Sequence, residues 1–329
     1  TSDESTLSPG AAAGSVHAAL CQNALAGVVV NGTRVIYPAQ AREVTVQVDN
    51  VGDSPALVQA WIDSGDANQT ADTSDAPFVL TPPIARVEPG RSQALRLIFS
   101  GAQLPTDRES VFWLNVLDVP PSPDNADSGE QNYLQVAFRS RLKLFYRPQG
   151  LKGVANDAPA ALRWTRTGDR LRVENPSPFH VTLAEVHAVT GSSEKAVEDK
   201  GAMVAPKQSL EFAAPAGTDQ VRFITINDYG GRALCLLVAG VACPGWALAA
   251  PANLGEQALM AQSGAANARA PESAQFNSSF LSGQAKQVDL AAFSNGNPMV
   301  AGNYRVDVYV NGAWQGRRDL QFKADAQGR

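Results

Sequence analysis

The sequence predicts an all-β protein: two strand-rich sandwich domains in succession, then a partial C-terminal β piece. Three observations carry this. Two-residue periodicity runs through QNYLQVAFRSRLKLFYRP at 131–148, short apolar segments separated by turn residues fill the chain from Gly27 onward, and a second such set begins after Pro148-Gln149-Gly150. In 131–148, Leu134, Val136, Phe138, Leu142, Leu144 and Tyr146 share one parity, whereas Gln135, Ala137, Arg139, Arg141, Lys143 and Arg147 occupy the other. Successive side chains of a strand point to opposite sides, so this is one long strand with an apolar and a polar face. Strands usually have ~5–6 residues. One this long is expected to outrun its sheet and leave backbone and apolar row available to a partner.

Composition sets the outer limits. With 329 residues, 44% hydrophobic and 18% charged, the chain can build two or three domains with cores of their own. A formal charge of −5 gives no reason to expect nucleic acid as a partner. Cys21, Cys235 and Cys243 are too few for a disulfide framework and are expected to lie outside the strand-rich body. No CxxC pair or His/Cys cluster is present, so neither a metal site nor a cofactor is expected.

Taken in order, residues 1–26 form a Ser-, Ala- and Gly-rich leader ending in Ala24-Leu25-Ala26, readable as an export-signal remnant or as a plain disordered lead. Then follow VVVNGTRVIY, EVTVQVDN, ALVQAWI, FVLTPP, ALRLIFS and ESVFWLNVL, punctuated at Asn31-Gly32, Pro82-Pro83 and Pro89-Gly90. About seven short strands ending in the long one suit an immunoglobulin-like sandwich over 27–150. A smaller all-β domain over 151–232 is built from LRWTRTGDRLRVENPSPFHVTLAEV, SLEFAAP and VRFITIND. The apolar run ALCLLVAGVACPGWALA then opens a segment over 233–273. It is too short to span a bilayer, which takes ~20 residues, but suits a signal peptide's core. Alternatively 233–241 supplies the strand that closes the second domain. In the tail, 274–329, Val306, Val308 and Val310 alternate before Asn311-Gly312, a hairpin signal. Two strands alone are marginal in water, so the tail reads as the start of a domain.

With the strands placed, NGTRVIYP, TPPIARVEPG, LPTDRESVFWLNV, RLKLFYRP, ENPSPFHV and ITINDYGGR occur in the order found in periplasmic chaperones of the chaperone–usher pilus pathway. Over 27–232 the chain resembles this PapD-like family. The resemblance implies two immunoglobulin-like domains in an L shape, a periplasmic location, and a cleft that receives the C-terminus of a pilus subunit. It implies that Arg34 and Lys143 anchor the subunit's terminal carboxylate, and two cations are a sensible way to hold one carboxylate, since charge-assisted hydrogen bonds are the stronger ones. By the same resemblance Leu134, Val136 and Phe138, which follow the polar loop PPSPDNADSGEQ, fill the groove of a subunit that lacks its final strand, a form of β-augmentation. Glu109, Arg147 and Asp228 match an interdomain salt-bridge network, which would fix the angle between domains more than add stability. Parity raises one difficulty: Lys143 is opposite to Leu134, Val136 and Phe138. Both sets serve one ligand only if the strand twists or bulges between Phe138 and Lys143.

The tail carries a second resemblance. FNSSFL, VDLAAFS and NYRVDVYVNG are similar to the opening of the outer-membrane usher's periplasmic N-terminal domain, with Phe276 and Phe280 where that segment would contact a chaperone. Pilus subunits and the usher are thus the implied partners, and no small-molecule substrate is implied. The expected activity is donor-strand complementation of subunits and their delivery to the usher. The alternatives are a chaperone–usher fusion docking in cis and a pilus structural subunit or adhesin. An enzyme is not expected: His17, His180 and His187 have no Ser/His/Asp or Cys/His spacing, and Asp107 and Glu109 have a structural reading by motif.

Overall fold

The computed structural model describes residues 27–122, 135–238, 273–294, 302–310 and 313–322. The first domain has β1 (Val28–Val30), β2 (Arg34–Pro38), β3 (Val44–Asn50), β4 (Ala56–Asp63), β5 (Phe78–Thr81), β6 (Ile84–Val87), β7 (Ser92–Phe99), β8 (Ser110–Val119) and β9 (Phe138–Arg147). They form a four-stranded sheet, β1-β3-β7-β5, facing a five-stranded one, β2-β9-β8-β4-β6. VVVNGTRVIY is therefore two strands in two sheets. The chain crosses over at Gly32, whose φ of 99° a residue with a Cβ adopts only with strain. Between the sheets lie Val35, Tyr37, Val46, Val48, Val58, Ile62, Leu95, Leu97, Leu114, Leu142 and Leu144, all buried.

The long strand is shorter than its alternation suggests. β9 has ten residues, Phe138–Arg147; residues 135–137 are not strand, and 123–134, including Leu134 and most of the polar loop, lie outside the described residues. Its register with β8 runs unbroken from Ser110↔Tyr146 to Asp118↔Phe138. The bulge that parity allowed between Phe138 and Lys143 does not occur.

The second domain contains β10 (Arg163–Thr167), β11 (Arg170–Glu174), β12 (Val181–Thr190), β13 (Ser193–Glu198), β14 (Ala202–Val204), β15 (Ser209–Ala213), β16 (Gln220–Ile226) and β17 (Arg232–Val238). A sheet β10-β11-β15 packs on a sheet β13-β12-β16-β17, with β14 also paired to β12. Trp164, Leu171, Val173, Leu183, Val186, Val221 and Phe223 form the core between them. β17 pairs along all of β16, from Ile226↔Arg232 to Gln220↔Val238. The apolar run after Arg232 thus begins as the closing strand of this domain, because VRFITIND leaves an edge with backbone groups to satisfy. Cys235 accordingly sits in β17, within the strand-rich body and not outside it. Cys21, Cys243 and residues 239–272 lie outside the described residues.

The tail forms three short 3-10 turns, Ser278–Phe280, Gly283–Gln287 and Leu290–Phe293, followed by the hairpin β18 (Gly302–Val310) and β19 (Ala313–Phe322) on either side of Asn311-Gly312. Residues 274–294 lie on the outer face of the first domain's five-stranded sheet. This helps to bury the outward residues Leu57, Gln59 and Trp61 of β4, a strand buried along its whole length. Ala56, Val58, Ala60 and Ile62 join the inner core, whereas Leu57 and Trp61 meet the tail.

Candidate functional site

Arg34 and Lys143 are register partners on neighbouring parallel strands, β2 and β9. The adjacent pair, Val35 and Leu144, faces the core, so the two cations project from the outer face at the end nearest the second domain. Each reaches across to that domain. Arg34 Nη1 donates to the Ile226 carbonyl at 2.9 Å, and Lys143 Nζ donates to Thr182 Oγ1 at 3.3 Å. The cleft there, about 470 Å³, is lined by Trp113, Lys143, Thr182, Glu185, Lys200 and Arg232 among others.

Both cations are poorly compensated by the chain. Among the described residues neither forms an ion pair within 4 Å, and the buried Nε of Arg34 has no hydrogen-bond partner. Burial pushes the Arg34 guanidinium below its ordinary value, with Asp228 opposing. Burial and then the charge of Arg34 push the Lys143 ammonium down to about 8. Two like charges held side by side in a partly dry cleft are the arrangement that an added carboxylate relieves.

Beside them β9 has an edge that is free among the described residues. β2 meets β9 only from Lys143 to Arg147, whereas β8 follows β9 back to Phe138. Residues 138–142 are thus paired on one side. On the same parity as the buried Leu144 and Leu142, beyond Ser140, Phe138 is 45% exposed and Val136 44%. Of the groove-filling row expected from the sequence, Val136 and Phe138 thus share the parity of the domain's own core row, and Leu134 lies outside the described residues.

Glu109, Arg147 and Asp228 come together at the domain junction. Arg147 Nε donates to Glu109 Oε1 at 2.6 Å, and its Nη1 and Nη2 donate to Asp228 Oδ2 and Oδ1 at 2.8 and 3.1 Å. Glu109 Oε2 also accepts the His180 backbone N–H at 2.8 Å, so its buried carboxylate ties both domains. Motif reading did not assign His180, or Lys207, which pairs with Asp107 across the junction. Thr182 and Ile226 were missed too, because nothing local in a strand sequence marks the partner of a residue more than 30 positions away. Gly230 packs the 227–231 turn against the first domain: its φ is 83°, and a Cβ there would lie 2.6 Å from Thr33 Oγ1.

Phe276 and Phe280 both lie against the first domain, with Leu281, Leu290 and Phe293, over Leu57, Trp61, Leu117 and Val119. Polar groups fasten the segment as well. The buried Gln59 amide grips Ser282 at both backbone groups, accepting its N–H at 2.6 Å and donating to its carbonyl at 3.0 Å. Arg86, wholly inside, pairs with Glu88 at 2.7 Å and donates to the Phe293 carbonyl at 2.9 Å. At Gly283, φ is 65°, and a Cβ would fall 2.1 Å from Asp72 Oδ2, which accepts the Gln284 N–H. The signal for this interface was in ALVQAWI. A strand of an antiparallel sheet with one solvated face alternates apolar and polar, and this one carries Leu57 and Trp61 on the parity opposite its core row.

Comparison with known proteins assigns the family of each part of the chain. Residues 27–152 match the pili and flagellar-assembly chaperone PapD N-terminal domain, 157–233 the pili assembly chaperone PapD C-terminal domain, and 275–329 the PapC N-terminal domain. The probable fimbrial chaperone YadV of Escherichia coli K12 is 40% identical over 223 residues, 65% of this chain and 90% of that protein. The chaperone FimB/FhaD of Bordetella pertussis is 44% identical over 220 residues, 65% of this chain and 88% of its own length. Among solved structures, the Pseudomonas aeruginosa CupB2 chaperone superposes with a TM-score of 0.56 at 40% identity, covering 64% of this chain and all of that one. The SafB chaperone of Salmonella enterica, solved with the SafA pilin, gives a TM-score of 0.55 at 32% identity, covering 65% of this chain and 97% of the other. The chain belongs to the pilus-assembly chaperone family, with two immunoglobulin-like domains, and carries after them a segment that matches the PapC N-terminal domain.

Proposed function

We propose that this protein captures pilus subunits in the periplasm, completes their fold with β9 and delivers them to the outer-membrane usher, where strand exchange releases them without ATP. The observation that carries the reading is the placement of the poorly compensated pair Arg34 and Lys143 beside the one-sided edge of β9 at 138–142. A subunit's terminal carboxylate takes hydrogen bonds from both cations. Its preceding strand pairs with the free edge, and Leu134, Val136 and Phe138 fill the groove that the subunit leaves open. No bulge is needed, because a strand lying along an edge is bordered by both faces of the strand it joins. Glu109, Arg147 and Asp228 hold the domain angle that places the cleft. Subunits of the SafA class illustrate the partner chemistry, since SafB is a relative solved with a pilin.

The test is co-expression with the neighbouring subunit gene, comparing wild type with Arg34→Ala and Lys143→Ala. Both variants are expected to lose the subunit. Retention by both at wild-type levels refutes the carboxylate anchor.

A second reading concerns the tail and is favoured by the burial of 274–294 on the first domain. The chain is then a chaperone–usher fusion docking in cis, with Phe276 and Phe280 in the docked segment. Deleting residues 250–329 is expected to expose Leu57, Trp61, Leu117 and Val119 and to let a separate PapC N-terminal domain bind there. If the truncated and full chains bind that domain equally, cis docking does not govern access to this face.

A further inference from the structure

The half of β9 that has no second partner strand among the described residues has its outward arginines tied to a buried carboxylate of β4. Arg141 Nη2 and Nε donate to Asp63 Oδ1 and Oδ2 at 2.6 and 3.1 Å, and Arg141 Nη2 donates also to the Gly65 carbonyl at 3.0 Å. Arg139 donates twice to Asn115 Oδ1, at 2.9 and 2.6 Å, and to the Ala67 carbonyl at 2.9 Å. Asn115 Nδ2 closes the set by donating to Asp63 Oδ2 at 2.7 Å, and the Gly65 N–H reaches Asp63 Oδ1 at 2.8 Å. Asp63 and Asn115 are both completely buried. The two guanidinium groups lie over indole rings, Arg139 over Trp61 at 4.8 Å and Arg141 over Trp113 at 4.3 Å.

Holding two arginines this firmly costs rotamer entropy and a buried charge, which the chain bears where β9 has one partner strand. Residues 143–147 are flanked by β2 and β8, and the arginine among them, Arg147, is tied to Glu109 and Asp228 at the junction with the second domain rather than to β4 and β8 beneath the sheet's outer face. Among the described residues, 138–142 pair with β8 alone, and one-sided edges open more readily than sheet interiors. A docking edge that frays must be reordered by each incoming strand, and that ordering is subtracted from affinity.

We propose that Asp63 and Asn115 are positioning residues that hold the one-sided half of β9 extended and ready, as a rigid template for an extended polypeptide strand. The inference rests on the chaperone reading above and adds the means by which the strand stays pre-organised. Asp63 and Asn115 touch no subunit. They act through Arg141 and Arg139.

The experiment uses the full chain with Asp63→Asn, near in shape but without the charge, and Asn115→Ala as a second variant should the first fold poorly. Backbone hydrogen exchange is measured at 138–142, with 143–147 as the internal control, alongside subunit association rate. The expected result is exchange at least about tenfold faster at 138–142 only, with association slowed by a similar factor and the pH dependence set by Lys143 unchanged. Unchanged exchange at 138–142, or an equal rise across 138–147, overturns the proposal, because either shows that the set merely supports the fold. Failure of the chaperone reading is distinguishable: the wild type would then retain no subunit, while the exchange comparison, which needs none, still decides the positioning role.

Discussion

The outer face of one five-stranded sheet bears two surfaces that differ in how the chain treats their polar groups. Over β4, β6 and β8 the tail brings partners for everything it buries: Gln59 is matched to both backbone groups of Ser282, and Arg86 to Glu88 and to a tail carbonyl. At the cleft end, Arg34 Nε has no partner among the described residues, and the Lys143 ammonium is held down to about 8. Buried polar groups are nearly always satisfied in native proteins. The first surface therefore finds its ligand within the chain, and on the proposed function the second takes one from outside.

The strongest way to break the comparison is to remove a cleft cation. Arg34→Ala should weaken subunit affinity by roughly 2–5 kcal/mol, about 30-fold to several thousand-fold, because the remaining charges of the complex are left unpaired. Isothermal titration against a purified subunit, or competition for it where folding is coupled to capture, gives the number. The tail should stay docked, so protease sensitivity of 274–294 should not change.

The complementary change is Leu281→Ala, at a residue 1% exposed between the tail and the sheet. A loss of about 2–4 kcal/mol is expected from the docking equilibrium, read as faster proteolysis of the tail with subunit affinity unaltered. Gln59→Ala should act in the same direction, at about 1–3 kcal/mol, since it strands the Ser282 N–H and carbonyl.

The smallest effect concerns the free protein. Lys143 titrates near 8 when folded and near 10.5 when unfolded, so between those values the unfolded chain binds more protons. Its penalty on stability is full below about pH 8 and is relieved as pH rises toward 10.5. Lys143→Met should therefore stabilise the free chain at neutral pH by about 1–2 kcal/mol, after allowance for partial solvent screening. Chemical denaturation at pH 7 and pH 10 measures it, and a destabilised variant would mean that the ammonium is already compensated.

Much of this architecture was legible because strand alternation is local. EVTVQVDN, VRFITIND and RLKLFYRP each declare their faces within a few residues, and Arg34 and Lys143 stand in motifs whose order gave the family away. What was not legible depends on pairing at a distance. Arg139 and Arg141 look like a solvated polar face until β4, more than 70 residues earlier, brings Asp63 beneath them. β13 and β14 were missed because SEKAVE is largely exposed and AMV is only three residues long. The docked tail was announced only indirectly, by Leu57 and Trp61 on the outward parity of β4. The 3-10 turns within it have no period to detect.

The central claim, that Lys143 and Arg34 form an anion site completed by a ligand's carboxylate, is tested most directly by titrating the Lys143 side chain itself. With lysines isotopically labelled, NMR would follow its protonation in the chain alone and in complex with a subunit. The account predicts a midpoint of about 8 alone, rising by at least one unit in the complex, so that affinity falls as pH is raised through 8. A midpoint that stays the same on binding, or falls, would contradict it.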